Sequence, residues 1–315
     1  MPTRPDPTEA AVGRRAVVLL GGAGLLAGCT GTSHDRASGA APASPHASRA
    51  PSAALPGSST PGSSASASAS PSRTSGLPRV SRWQPDRGDL VPRAKLAAVR
   101  AVEERGNGPR TALQVVDAQY GGLLASSASV LVVCRTWRRA GSRVVPGGRT
   151  FDVRLTRRVS GWRVTHLHPS VPGPAHRPLS ADERAVLSSD RITLPPAAAA
   201  DVRSGQVHDS VLAALRRLSE RYVVGVSVVR SGHPLHVFGT DRLSDHPQGR
   251  AFDTFRIDGH LVVDPRTPRR LVTGYMEAAA RAGSYNVGGP YLLGSAPQWF
   301  SDRTHHDHVH AGFRT

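Results

Sequence analysis

Cysteine is nearly absent from this chain: two among 315 residues, Cys29 and Cys134. That is too few for a disulfide framework. Cys134 ends the apolar, strand-like run Val130-Leu-Val-Val-Cys134 and has no histidine or acid beside it in sequence, so it reads as a buried structural thiol rather than a nucleophile. Lysine is scarcer still. Lys95 is the only one, so the formal charge of +17 is carried almost wholly by arginine, spread over both halves of the chain. Without a basic stripe or a recognised nucleic-acid motif, DNA and RNA are set aside as partners. The charge still favours anionic surfaces such as phospholipid headgroups or acidic wall polymers. Long apolar runs are missing too. The longest near the N-terminus, 16–27, is too short to span a bilayer and has the length of a signal-peptide core.

That run follows Arg14-Arg15 and ends in Leu26-Ala27-Gly28-Cys29, which resembles a bacterial lipobox. The resemblance implies export, removal of 1–28, and a lipid on Cys29 that anchors the mature chain to the outer face of the cell membrane. It would leave Cys134 unpaired. Residues 29–84 are dominated by Ser, Ala, Pro, Gly and Thr, with few large apolar side chains to offset chain entropy, and read as a disordered tether.

The remainder reads as α+β in two parts. In 90–104 Leu96, Val99 and Val102 recur at helical spacing before the stop Gly106-Asn107-Gly108-Pro109. Three strand-like runs follow, 130–137, 149–157 and 162–167, separated by turn signals. Helix then antiparallel meander, over 85–172, resembles the small α+β rolls of the nuclear transport factor 2-like type. His166 and His168 lie two apart in this part, without upstream partners for a metal. A Pro-rich stretch, 169–178, marks the boundary. Beyond it a short helix is expected over 181–187, a clearer amphipathic one over 210–222, and a buried strand over 223–229 that runs into Arg230-Ser231.

The densest chemistry lies near the C-terminus, where His305-His306-Asp307-His308-Val309-His310 places four imidazoles and a carboxylate in six positions. On a strand His308 and His310 share a face. Upstream, His246 and Asp253 offer further nitrogen and oxygen donors, and Gly249 lets the chain turn between them. His246, Asp253 and His310 make the three-ligand set of a hydrolytic zinc site, which keeps a fourth position for water. The bland readings are a turn histidine before Pro247, a capping carboxylate and a strand histidine, all three of which must hold together to remove the site. His305 and His306 read as solvated or outer residues, His233 and His236 as structural.

Ser244-x-His246-x-x-Gly249-Arg250-Ala251-x-Asp253, joined later by Asp307-His308-x-His310, resembles the zinc site shared by lysostaphin, the D-Ala-D-Ala metallopeptidases and the sonic hedgehog domain, closest to the D-alanyl-D-alanine carboxypeptidase-like branch. The resemblance covers about 222–313. It implies an antiparallel-sheet zinc peptidase-like domain over 178–315, with zinc on His246, Asp253 and His310. It further implies Asp307 as general base with His308 as the competing candidate, Arg230 as substrate or oxyanion contact, and peptidoglycan stem peptides as substrate. The sequence departs from the family in Val228-Val229 before that arginine, where an aromatic is common, and in the tract 233–240. A non-catalytic, zinc-containing peptidoglycan-binding lipoprotein is the alternative.

Overall fold

The computed structural model describes residues 76–314. Cys29, the signal segment and most of the proposed tether lie outside the described residues. The first helix, α1 (Pro92–Gly106), begins with proline at its first turn, where no amide hydrogen is needed, and ends at Asn107, whose backbone and side-chain nitrogens both reach the Glu103 carbonyl. Ala94, Ala98 and Val102, each one turn apart, bury one face. That face packs on an antiparallel meander in the order β1 (Thr111–Leu123), β2 (Ser127–Ala140), β3 (Arg143–Arg158) and β4 (Gly161–Pro169). Cys134 lies in this core, and burial pushes its thiol up, which suits a structural role. Trp83, from the stretch read as tether, packs against the same core.

Strand β1 is not anticipated by the apolar pattern. Bulges between Val115 and Asp117 and between Tyr120 and Gly122 break its period of two, and its buried polar side chain, Gln119, faces the second half of the molecule. The unbroken apolar run of β2 has the opposite explanation, because both faces are covered. Val130, Val132 and Cys134 face the roll core, while Leu131 and Val133 pack against Val228 of the second sheet.

The second half contains α2 (Ala181–Ser188), β5 (Ile192–Thr193), α3 (Pro196–Arg203), α4 (Asp209–Ser219), β6 (Val224–Val228), β7 (Ala251–Ile257), β8 (His260–Leu261), α5 (Arg269–Arg281), β9 (Asn286–Gly288), β10 (Trp299–Phe300) and β11 (Val309–Gly312). Its sheet runs β10-β9-β11-β7-β6-β5, with β8 folded back on β7. Here the expectation of an antiparallel sheet is corrected. The central strands are antiparallel, but β5 joins β6 and β10 joins β9 in parallel, so the sheet is mixed. The reason is connectivity: α3 and α4 lie between β5 and β6 and carry the chain back to the same end. Leu212, Leu215 and Leu218 of α4 and Val272, Tyr275 and Met276 of α5 close one face around Phe252, Ile257 and Phe313. The described residues of both halves fall in one compact unit, and none of their helices is long and apolar enough to cross a membrane.

Candidate metal centre

Strands β7 and β11 pair so that His310 stands directly opposite Asp253, which brings their side chains together on one face. His246 arrives from the preceding loop. That loop closes through Gly249, at φ 71°, whose amide donates to the His246 carbonyl at 2.8 Å, while Arg250 donates to Asp245 at 3.0 Å. A side chain on Gly249 would run into the Gln206 carbonyl, so glycine is needed for close approach as well as for conformation. The imidazole of His246 is fixed by its Nδ1, 2.8 Å from the Val229 carbonyl, which leaves Nε2 free as a donor atom.

The three donor atoms form a nearly equilateral triangle. His246 Nε2, Asp253 Oδ1 and His310 Nδ1 lie 3.1 Å from one another along each edge. An ion bound tetrahedrally at about 2.0 to 2.1 Å sets its ligand atoms roughly 3.3 Å apart, so the triangle has the size of one face of such a shell. His246 and Asp253 are fully buried and His310 is nearly so. Burial works against the Asp253 charge, but His246 and His308 hold its carboxyl well below the usual range. Burial also brings His310 down to about 4, against the pull of Asp253, so its imidazole is neutral and able to bind a metal. His233 stacks on His246 with ring centroids 4.2 Å apart and adds a further donor near His246 and Asp253. These residues can hold a metal ion.

Strand β11 begins only at Val309, so Asp307 and His308 sit in the turn before it and escape strict alternation. His308 points Nε2 toward Asp253 Oδ1, 3.8 Å away, and its Nδ1 meets Asp307 Oδ1 at 2.7 Å. Burial opposes charge on His308, yet Asp253 and Asp307 raise it to about 9. Asp307 turns its other oxygen away from the donor triangle, accepting from Lys95 Nζ at 2.7 Å and from the Tyr120 amide at 3.1 Å. Lys95 pairs in addition with Asp89. Asp89, His306 and Asp307 form a second group of possible metal donors, but the Lys95 ammonium already supplies the positive charge between the two carboxylates.

A cleft of about 660 Å³ opens over His246, His308 and His310. Its walls come from both halves, including Tyr120 of β1, Arg242 and Arg303. Arg230 is not among the residues lining this cleft. Its amide and that of Ser231 donate to the buried Asp201 of α3 at 3.1 and 2.8 Å, which anchors the end of β6 there. His305 lines the cleft and is held by Asp302 at 2.8 Å; His306 accepts from the Leu90 amide at 3.2 Å. Both are half-buried rather than solvated. His236 is exposed, as are His166 and His168 on β4.

Three residues escaped the sequence reading. Gln119 of β1 donates from Nε2 to Asp253 Oδ2 at 2.6 Å, Ser227 of β6 donates to the Gln119 Oε1, and Lys95 anchors Asp307. Only Lys95 left a legible signal, as the sole lysine set among the apolar positions of α1. A scan against protein-family models, a search of curated proteins and a search of solved structures each returned no match.

Proposed function

We propose that the chain is an exported, lipid-anchored zinc peptidase that hydrolyses an amide bond in peptidoglycan stem peptides, a D,D-carboxypeptidase or related enzyme. The observation that carries this reading is the 3.1 Å triangle of His246, Asp253 and His310 at the floor of an open cleft, with His308 beside it. Two imidazole-nitrogen donors and one carboxylate are a donor set suited to zinc, and the motif that holds them resembles that of the D-Ala-D-Ala metallopeptidases. Bound there, zinc would supply Lewis acidity toward the scissile carbonyl and lower the pKa of water. The protein's own part is proton handling and orientation. His308, charged between Asp253 and Asp307, gives a proton from Nε2 and then takes one back there, while Asp307 orients the ring through Nδ1. Asp307 therefore serves as the partner of His308 rather than as the group facing the substrate. Arg242 and Arg303, in the cleft wall, join Arg230 as candidates to meet anionic groups of the substrate.

The same geometry leaves a second reading, capture of wall peptide without turnover, favoured by the engagement of Asp307 with Lys95 and Tyr120. One experiment separates the readings. Metal analysis of the purified chain should find about one zinc per molecule, lost in His310→Ala, and mass spectrometry of digested peptidoglycan should show shortened stem peptides only with the wild type. Zinc retained with unchanged muropeptides would favour capture. No bound metal in the wild type would remove both readings.

A further inference from the structure

Both carboxylates of the centre are held from behind by the same piece of the molecule. Asp253 directs Oδ1 into the donor triangle, and its Oδ2 accepts from Gln119 Nε2 at 2.6 Å. Asp307 directs Oδ1 to His308, and its Oδ2 accepts from Lys95 and from the Tyr120 amide. Gln119 and Tyr120 belong to β1 and Lys95 to α1, so every one of these outer contacts comes from the N-terminal roll. The adjacent bulge between Tyr120 and Gly122 alters the strand just where the Gln119 side chain and the Tyr120 amide both meet the second half.

The Gln119 contact is specific in its polarity. Gln119 is 1% exposed and Asp253 fully buried, so water cannot replace the bond. The amide has only one sensible orientation: Ser227 Oγ donates to Oε1, which turns Nε2 toward the carboxylate. A carboxylate with one oxygen tied to an amide donor is fixed in plane and presents its remaining oxygen alone. That leaves more of a bound metal's shell open than a carboxylate free to bind through both oxygens.

We propose that the roll is the orienting half of the metal centre, with Gln119 as the positioning residue for Asp253. The proposal rests on the metal-site reading above but requires no particular substrate. It predicts that Gln119→Met, which keeps the chain length and removes the donor, weakens zinc binding of the full chain by about 10- to 100-fold. The measurement is competition with a chromophoric chelator, paired with the visible spectrum of the cobalt-substituted protein, which reports distortion of the ligand set. Ser227→Ala frees the amide without removing it and also removes the Ser227 Oγ contact to the Asp253 carbonyl at 3.2 Å; it should weaken binding in the same direction by a smaller factor and carries the test if Gln119→Met does not fold. Leu155→Ala, in the roll core and away from Asp253, should lower the melting temperature while leaving zinc affinity and the cobalt spectrum unchanged. The proposal is overturned if folded Gln119→Met binds zinc within about twofold of wild type, if Ser227→Ala does so when it alone folds, or if Leu155→Ala loses affinity to the same degree. A wild type that binds no metal overturns the functional reading as well; a wild type that binds while the variants match it overturns only the role of Gln119.

Discussion

Asp117 of β1 is half-buried, with its Oδ2 buried and unpartnered, and it faces Lys95, Asp307, His308 and Asp89. Burial raises it to about 7, with Lys95 opposing and Asp307 adding to the shift. The folded protein therefore holds the proton over a range in which the unfolded chain, near 3.8, has released it. A raised pKa gives a contribution that is whole below the unfolded value and lost as pH climbs through the folded one, between about 4 and about 7. Asp117→Asn removes this dependence. Relative to wild type, the variant should gain stability on going from about pH 4 to about pH 8, by on the order of 2 to 4 kcal/mol in urea unfolding. A difference that does not change with pH would show that Asp117 does not titrate this way. Gly249 sets a second, steric limit at this scale. Its positive φ and its approach to the Gln206 carbonyl leave no room for a methyl group, so Gly249→Ala should cost about 2 kcal/mol or more and displace His246. Urea unfolding and zinc affinity measured together would show both losses.

At the scale of elements, α1 does more than cover the meander, because it delivers Lys95 between Asp89 and Asp307. Replacing one member of a buried ionic cluster strands the others, which costs about 3 to 5 kcal/mol. Lys95→Met should be destabilised by that amount in chemical denaturation, and a loss below about 1 kcal/mol would mean that the carboxylates find other compensation. What sequence could reveal follows the same division. Helices α1, α2 and α4 and strands β6 and β7 carry clean periodicity or end signals, so their approximate places were legible. The β1 strand was hidden by its two bulges and the short strands β5, β9 and β10 by their length, whereas α5 carries a helical signal in the spacing of Val272, Tyr275, Met276 and Ala279. His246, Asp253 and His310 were legible because three donors at two spacings rarely converge by chance. The outer contacts were not. Gln119 meets Asp253 across 134 residues, and no local pattern encodes a partner that distant. Arg230 is a case of its own: its motif position suggested a substrate contact, and the structure adds that its backbone amide anchors to Asp201.

For the whole molecule, the decisive feature is that the two sheets meet through buried, specific contacts rather than a solvated hinge. Leu131 and Val133 pack on Val228, the Leu123 amide donates to Thr304, and Gly122 and Gly148 lack the side chains that would collide with Phe238 and Pro196. An interface with its apolar, polar and steric terms all satisfied has little reason to open before either half unfolds. The roll and the second half should therefore melt together, in one calorimetric transition whose van't Hoff and calorimetric enthalpies agree. Tryptophan offers an independent reporter, since Trp83, Trp137 and Trp162 belong to the roll region and only Trp299 to the other sheet. Zinc held at about 100 times its dissociation constant adds about 2.7 kcal/mol to whatever unfolds with the site. In a coupled molecule that increment reaches the roll, although no metal donor resides there. Chelation should thus lower the unfolding midpoint read from roll fluorescence in Trp299→Phe by as much as the midpoint read from metal release. A roll transition that ignores the chelator would separate the halves and remove the basis for a shared centre.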